Sequence, residues 1–577
     1  MRKAKRLARA LLLSACVQAT AFAAPQQTTP RQQQPAAPAQ AATAVAPAPS
    51  MTAEKWREDL RFMAAEMARR HKNLYHKTSR ERFEAEVRRL DERIPALARH
   101  ETVVGLMRLV ALVGDGHTHM GLGQDPAAQF RQYPVRFYFF RDGLFVEAAA
   151  PEYRDAVGGR VLKIGRASAE EAYRAVREVT PHDSEMDAKF RAPFLMAVPE
   201  VLHAVGVTED MERVPLVVER GRRQVTVELR PLARAGARDL EIPAGWTTAR
   251  EAAQAPLYMK DALNNFWFEH LKDERALYVQ YNAVADKRDE TVADFFRRVF
   301  EFVEANAVER LIIDVRNNGG GNNFLNRAIV TGVIRADRIN RRGRLFVITG
   351  RRTFSAAQNF VNEMEKYTNA IFVGEPTGAS PNHYGDAARI TLPNSGLTVR
   401  ASTVWWQDAD PRDTREWTAP HVAAELTSED FRAGRDPALQ AALSYAEGKS
   451  LADSMLESMG AGNMEAALKL YRAYRADPAH VYLSTEAEMN RLGYMLLREK
   501  RHAEAVEIFK LNVADYPASA NTYDSLADAY EAAGQKELAI EFSEKTLAAL
   551  PADRGTDFFK NGLRDSAQGR LRRLRGN

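Results

Sequence analysis

Apolar positions along the chain change their spacing as the sequence proceeds, and each spacing predicts a different kind of element. From Met51 to about Val113 the spacing is i, i+3, i+4, with Leu60, Met63 and Met67 followed by Leu106, Leu109, Val110 and Val113, the stripe of amphipathic helices. From Tyr133 the period falls to two. Val135, Phe137 and Phe139 alternate, Arg141-Asp142-Gly143 makes a turn, and Leu144-Phe145-Val146 resumes, which predicts a hairpin. Further β runs at 161–164, 214–218 and 225–229 extend it into a β-rich module. A third region begins at Ala276, where short apolar runs at 311–315, 345–348 and 370–373 alternate with helical segments at 291–304 and 355–366. That alternation is the βαβ signature of an α/β core, closing near Asp436-Pro437-Ala438-Leu439-Gln440. Beyond about residue 452 the pattern is helical and repeats: Pro517 and Pro551, Leu492 and Leu526, and Ala505 and Ala539 are each 34 residues apart.

Composition narrows the picture. Of the 577 residues, 45% are hydrophobic and 27% charged, the balance of a globular chain with a sizeable core, so disordered, collagen-like and disulfide-stapled classes are excluded. The formal charge of +5 has a local origin. Arg2, Lys3, Lys5, Arg6 and Arg9 precede an apolar stretch at 10–24, no acid occurs before residue 24, and the remainder is neutral before histidine is counted. Net charge therefore gives no support to a nucleic-acid or anionic-membrane partner. The basic start, the apolar stretch and the small-x-small triplet Ala21-Phe22-Ala23 together predict an export signal over residues 1–23 and a periplasmic or secreted protein. Leu13-Ser14-Ala15-Cys16 offers an alternative, a lipoprotein box acylated at Cys16, although Arg9 leaves only six residues of apolar run before it. Cys16 is the sole cysteine, so the exported chain rests on packing without disulfides. Residues 24–50, almost wholly Ala, Pro, Gln and Thr, read as a flexible tether, and no later run reaches the roughly 18 apolar residues of a membrane span.

Three stretches carry candidate chemistry. Asp115-Gly116-His117-Thr118 closes the first helical region; Leu311-Ile312-Ile313-Asp314-Val315-Arg316-Asn317-Asn318-Gly319-Gly320-Gly321 runs an apolar strand into a glycine turn; Thr353-Phe354-Ser355-Ala356-Ala357 puts a serine at a helix start. A serine at a strand-to-helix turn presents its hydroxyl outward, where the helix N-terminus favours negative charge. Consecutive glycines let backbone N–H groups converge with the amide of Ala356 into an oxyanion hole. Histidine is the usual base for such a serine. Each stretch also has a plainer reading. A serine at a helix start is most often an N-cap, and a glycine after a strand most often marks a turn. A P-loop is excluded because no Lys-Ser or Lys-Thr follows Gly321, and His117 with His119 makes at most half a metal site.

In this order the three stretches resemble the S41 serine peptidases, the family of the C-terminal processing and tricorn proteases, from about residue 55 to 447. The resemblance implies a multidomain α/β protein with a ClpP/crotonase-like catalytic core. It implies Ser355 as nucleophile, and Gly320 with Ala356 as oxyanion hole, Gly319 or Gly321 being alternatives to Gly320. The family's Ser-Lys branch is excluded, since the only lysine between Ser355 and Glu447 is Lys366, within a helix. The tricorn-like Ser-His-Glu branch suits His117 as base, with Glu416 in the position of the acid and Asp386 as the alternative. Segments 126–240 and 452–577 resemble a PDZ domain and tetratricopeptide repeats, although about fifty residues separate the start and end of the PDZ-like pattern. The expected organisation is an export signal (1–23), tether (24–50), helical region (51–125), PDZ-like module (126–240), catalytic core (270–449) and repeats (452–577). The expected activity is endopeptidase hydrolysis through an acyl-enzyme, without metal or cofactor, acting on peptides or proteins, with a protein partner for the repeats. An esterase on the same site and a non-catalytic peptide-binding scaffold are the alternatives. A histidine base of ordinary pKa places the acid limb of kcat/KM at about pH 6–7.

Overall fold

The computed structural model describes residues 51–121, 130–232, 242–252, 254–460 and 462–576. The export signal, Cys16 and the tether lie outside the described residues, as do the boundaries expected at 125–126 and 240. No described helix is long and apolar enough to cross a membrane.

The first region is three helices, Ala53–Arg70, Arg80–Arg93 and Arg99–Ala111, and its helical stripe is the buried one. Leu60, Met63, Met67, Leu106 and Val110 have no exposed surface. Thr52 and Ser79 start the first two helices by accepting the amides of Lys55 and Arg82, satisfying donors that a helix end leaves open.

The hairpin follows as strands Val135–Phe140 and Gly143–Ala149, joined in an antiparallel sheet by Arg160–Ile164, Val214–Arg220 and Arg223–Leu229. The register shift between Arg136 and Phe137 places its extra residue, Glu147, on the partner strand, so Val135 and Phe137 keep the predicted alternation, which fails only beyond Phe137. Phe140 rather than Phe139 turns fully inward, packing with Phe145 and Phe431. The long gap in this module contains three helices, Ala169–Arg177, Glu185–Leu195 and Pro199–Ala204.

The α/β core is a six-stranded sheet in the order Val422–Ala423, Ile371–Gly374, Leu345–Thr349, Arg310–Asp314, Ala276–Tyr281, Phe266–Leu271. Every pair is parallel except the last. Helices Val292–Ala305, Asn326–Arg335 and Ala356–Tyr367 cover one face through Phe295, Phe296, Val333 and Phe360. Helix Pro437–Ser444 packs Ala438 and Ala442 on the other. Both faces are covered, which is why the strands read as continuous apolar runs rather than alternating ones. Arg316, leaving the strand Arg310–Asp314, makes a two-pronged bond to Asp436, the N-cap of Pro437–Ser444, and so ties the glycine turn to the end of the core.

Asn382-His383-Tyr384-Gly385-Asp386 is turn-like in composition, but from His383 on it opens a nine-residue strand, His383–Thr391, paired with Thr398–Trp406. Pairing overrides local turn propensity here, at the cost of a left-handed φ of 51° at Asp386. The chain ends in seven helices from Leu451–Gly460 to Asp557–Arg575 among the described residues. Residues one repeat apart occupy equivalent buried places: Leu492 and Leu526, and Ala505 and Ala539, are all at most 2% exposed. Gly493 is a glycine because a Cβ there would stand 2.4 Å from the Phe509 ring.

Candidate active site

The C-terminal ends of the parallel strands bring the three motifs together, the edge where open α/β sheets place their sites. Strand Leu345–Thr349 leads into a turn locked by Thr353, whose hydroxyl donates to the Val315 carbonyl at 2.9 Å and accepts the Gly350 amide at 3.1 Å. Ser355 follows as the residue before helix Ala356–Tyr367, with φ 56° and ψ −127°. Its side chain makes no capping hydrogen bond, so the plainer reading of this serine does not apply. A left-handed non-glycine residue costs of order 1–3 kcal/mol and persists only where the surroundings impose it.

Gly320 is what presses on it. With φ at 103°, its backbone lies so close that a Cβ would stand 2.7 Å from Ser355 Cβ and 2.9 Å from the Ala356 nitrogen. Asn318 shapes this turn: its side chain accepts the Gly320 N–H at 2.9 Å and donates to the Tyr281 carbonyl at 2.9 Å, while its carbonyl accepts the Phe354 N–H at 3.1 Å. Of the three glycines, Gly320 is therefore the one against Ser355, with its own N–H turned to Asn318.

His117 arrives from the other side. Asp115 folds its loop, accepting the His117 and Thr118 amides on Oδ1 at 2.8 and 3.1 Å. Its Oδ2 accepts the Thr118 hydroxyl at 2.6 Å and bonds His71 Nε2 at 2.8 Å. The Asn73 amide donates to His71 Nδ1, so the proton of His71 is on Nε2 and points at Asp115. The His117 ring stacks on Phe354 with centroids 4.5 Å apart, and on His383 at 5.7 Å. Phe354, the residue before Ser355, thus carries the imidazole, and no hydrogen bond joins the His117 and Ser355 side chains among the described residues. His117 Nδ1 is buried and has no hydrogen-bond partner.

Neither sequence-predicted acid bonds His117 among the described residues. Glu416 accepts Arg554 Nη1 at 3.1 Å, a residue of the C-terminal helical region, and its carbonyl accepts the Ser380 hydroxyl at 3.1 Å. Asp386 accepts the Trp406 indole N–H at 3.0 Å. Its neighbour Gly385 flanks the imidazole, since a Cβ on Gly385 would stand 3.9 Å from His117 Nε2.

Residues 275–422, which hold Ser355, the glycine turn and both candidate acids, match the family model of peptidase family S41. The chain carries a serine-type peptidase core of family S41. Among solved structures, mature CPAF is 13% identical over 66% of this chain and 94% of its own, with a TM-score of 0.47. The photosystem II D1 C-terminal processing protease is 14% identical over 67% and 96%, with a TM-score of 0.33. A peptidase from Parabacteroides merdae is 16% identical over 69% and 98%, with a TM-score of 0.36. No curated protein sequence matches the chain.

The electrostatics of the S41 core differ from the sequence expectation. Burial, then the neighbouring His383, lowers the His117 pKa from 6.5 to about 3, against the pull of Asp115. His119 falls to about 4, again chiefly by burial. Burial disfavours ionised Asp115, but the hydrogen bonds from His71 and Thr118 prevail and hold its carboxyl below the usual range. A histidine this dry stays neutral through weakly acidic pH, so the acid limb expected at about pH 6–7 is displaced downward. kcat/KM, which reports the free enzyme, is expected to show no histidine limb between about pH 7 and 5. A pH series under conditions where chemistry limits the rate checks this; a fall centred at 6–7 would show a hydrated or acid-supported His117.

The sequence does not mark Asp183, which precedes the inserted helix Glu185–Leu195, or Asp187 and Arg191 within it. Arg191 lies over the Phe354 ring at 4.8 Å and bonds Asp187 at 2.5 Å. No short-range motif marks them, because what places them is contact across the fold.

Proposed function

We propose that the protein is an exported endopeptidase in which Ser355 is the nucleophile and His117 the base, with Glu416 as the acid and Asp386 the alternative. The reading is carried by one observation: Ser355 is held in a left-handed conformation at a helix start, uncapped, with the Gly320 backbone against its Cβ. Ser355 Oγ attacks the carbonyl carbon of the scissile bond while His117 Nε2 takes its proton. The oxygen that becomes negative is received by the Ala356 N–H and the glycine turn: Gly320 can serve only once its N–H leaves Asn318, and Gly319 or Gly321 are the alternatives. The proton passes from His117 to the leaving amine, the C–N bond breaks, and water repeats the sequence on the acyl-enzyme. The segments 51–125, 126–240, 270–449 and 452–577 are proposed as helical, PDZ-like, catalytic and tetratricopeptide parts. The equivalent burial of residues 34 apart supports the last of these. A peptide-versus-ester substrate panel tests the activity: turnover of esters alone would replace the peptidase reading with an esterase.

The acid is tested by kcat of Glu416→Gln and Asp386→Asn side by side at saturating substrate. Loss of the acid behind a histidine base is expected to cost about 10²–10⁴ in kcat, and Glu416→Gln is expected to show it. If Asp386→Asn is the folded variant that loses turnover, the role passes to Asp386. Because Arg554 competes for Glu416, Arg554→Ala is expected to raise kcat by up to about fivefold, the size of an exposed ion pair. The same change in the Glu416→Gln background is expected to do nothing.

A further inference from the structure

The helical insertion of the β-rich module reaches the His117 loop through its residue Asp183. Asp183 Oδ1 accepts the Gly116 N–H at 2.7 Å, one residue from His117. Around this bond the chain is pinned from three sides. Lys77 Nζ donates to the Asp183 carbonyl at 2.9 Å, the Asp183 amide donates to Asp187 Oδ2 at 3.2 Å, and the Ser184 hydroxyl donates to the Gly378 carbonyl at 2.7 Å. The fit is close, since a Cβ on Gly116 would stand 2.7 Å from Asp187 Oδ2 and 2.8 Å from the Phe354 ring. The other Asp183 oxygen, Oδ2, is buried with no hydrogen-bond partner.

Three carboxyl groups therefore crowd around Gly116: Asp115, Asp183 and Asp187. The cations facing them each have a partner already. Arg191 bonds Asp187, Lys77 spends its ammonium on a carbonyl, His71 serves Asp115, and the His182 ring bonds the Thr180 carbonyl. Beyond lies a cavity of about 900 Å³ bordered by Arg177, Glu185, Glu416 and Arg554. Buried carboxylates this close cannot all ionise together. Asp115 has hydrogen-bond donors and Asp187 an arginine, which leaves Asp183 to keep the proton. Burial, then Asp115 and Asp187, raises its pKa to about 7.

We infer that Asp183 is a positioning residue for His117, holding the Gly116 N–H as a neutral carboxylic acid and releasing the loop when it ionises. This rests on the reading of His117 as the base. It gives the enzyme an alkaline limb that neither serine nor histidine supplies: above about pH 7 the repulsion of a third buried negative charge by Asp115 and Asp187 outweighs the stronger bond an ionised carboxyl makes to Gly116, the loop is pushed apart and the imidazole loses its place. The linkage has a definite sign. The folded state keeps a proton that the unfolded state releases from 3.8 upward, so stability declines as pH rises from there to about 7 and is level beyond.

The test is kcat/KM of the full chain on a fluorogenic peptide from pH 5 to 9, for wild type, Asp183→Ala and Asp183→Asn. Asparagine keeps the acceptor for Gly116 but cannot ionise. Wild type is expected to lose activity above about pH 7. Asp183→Ala is expected to lose at least tenfold in kcat below about pH 7, with KM within twofold, and to converge on wild type above it. Asp183→Asn is expected to recover most of that loss and to lack the alkaline limb. A profile for Asp183→Asn that superimposes on wild type, or activity as low as that of Asp183→Ala, would overturn the inference. Melting temperature against pH in the Ser355→Ala background separates it from the catalytic reading. There the decline from pH 4 to 7 is expected to be smaller once Asp183→Asn is added. An unchanged decline contradicts the proton on Asp183, whereas wild type without any Ser355-dependent turnover overturns the catalytic reading and this role with it.

Discussion

Ser355→Ala is expected to abolish peptide hydrolysis, by about 10⁶ in kcat, while the protein stays folded. The two halves of that expectation have separate physical grounds. Turnover is lost because Ser355 supplies the hydroxyl at the Ala356 helix start against the Gly320 backbone. Folding survives because the serine makes no capping bond that alanine would forfeit, and the left-handed φ of 56° strains both residues alike. kcat on a fluorogenic peptide, measured with a thermal melt of the same sample, reads both. A folded variant retaining more than about 1% of wild-type turnover would remove Ser355 from the chemistry.

Gly320→Ala is expected to be nearly as damaging through geometry alone. The added Cβ meets Ser355 Cβ at 2.7 Å, the Ala356 nitrogen at 2.9 Å and the Phe354 carbonyl oxygen at 2.9 Å. Backbone atoms and a Cβ cannot rotate away as the end of a long side chain can, so either the glycine turn or the serine must shift. A shift of several tenths of an ångström at an oxyanion site is expected to lower kcat by about 10²–10³, comparable to losing one donor. Stability is expected to fall by about 1–3 kcal/mol, since φ at 103° is closed to side chains. Gly396→Ala is the control. Its φ is 73° but nothing lies within 4 Å of the new Cβ, so it carries backbone strain without the clash. Turnover is expected to survive there, and equal loss in both variants would assign the Gly320 effect to general destabilisation.

What the sequence discloses and what it withholds divide along the range of the interactions involved. The core strands are legible because both faces of the sheet are covered and the runs Leu311-Ile312-Ile313 and Leu345-Phe346-Val347-Ile348 are apolar throughout. Ser355 and the glycine turn are legible because their conformations demand particular residues within a few positions of each other. His117 is legible only through its Asp-Gly-His-Thr setting, and its protonation is not, because His383 and Phe354 reach it from more than 200 residues away. Residues 382–386 read as a turn from their own composition, and the partner that makes them a strand is Thr398–Trp406. The bond between Glu416 and Arg554 spans 138 residues and that between Gly116 and Asp183 spans 67. No local pattern encodes such pairs.

Whether Ser355 is an activated nucleophile is read by fluorophosphonate labelling followed by peptide mapping. The reagent forms a phosphorus–oxygen bond with an activated serine Oγ and expels fluoride, so it reads reactivity without a known substrate. One labelled peptide is expected in the wild-type chain, modified at Ser355, and none in Ser355→Ala. Folded wild-type protein that takes no label at Ser355, or a label that persists in Ser355→Ala, would contradict it.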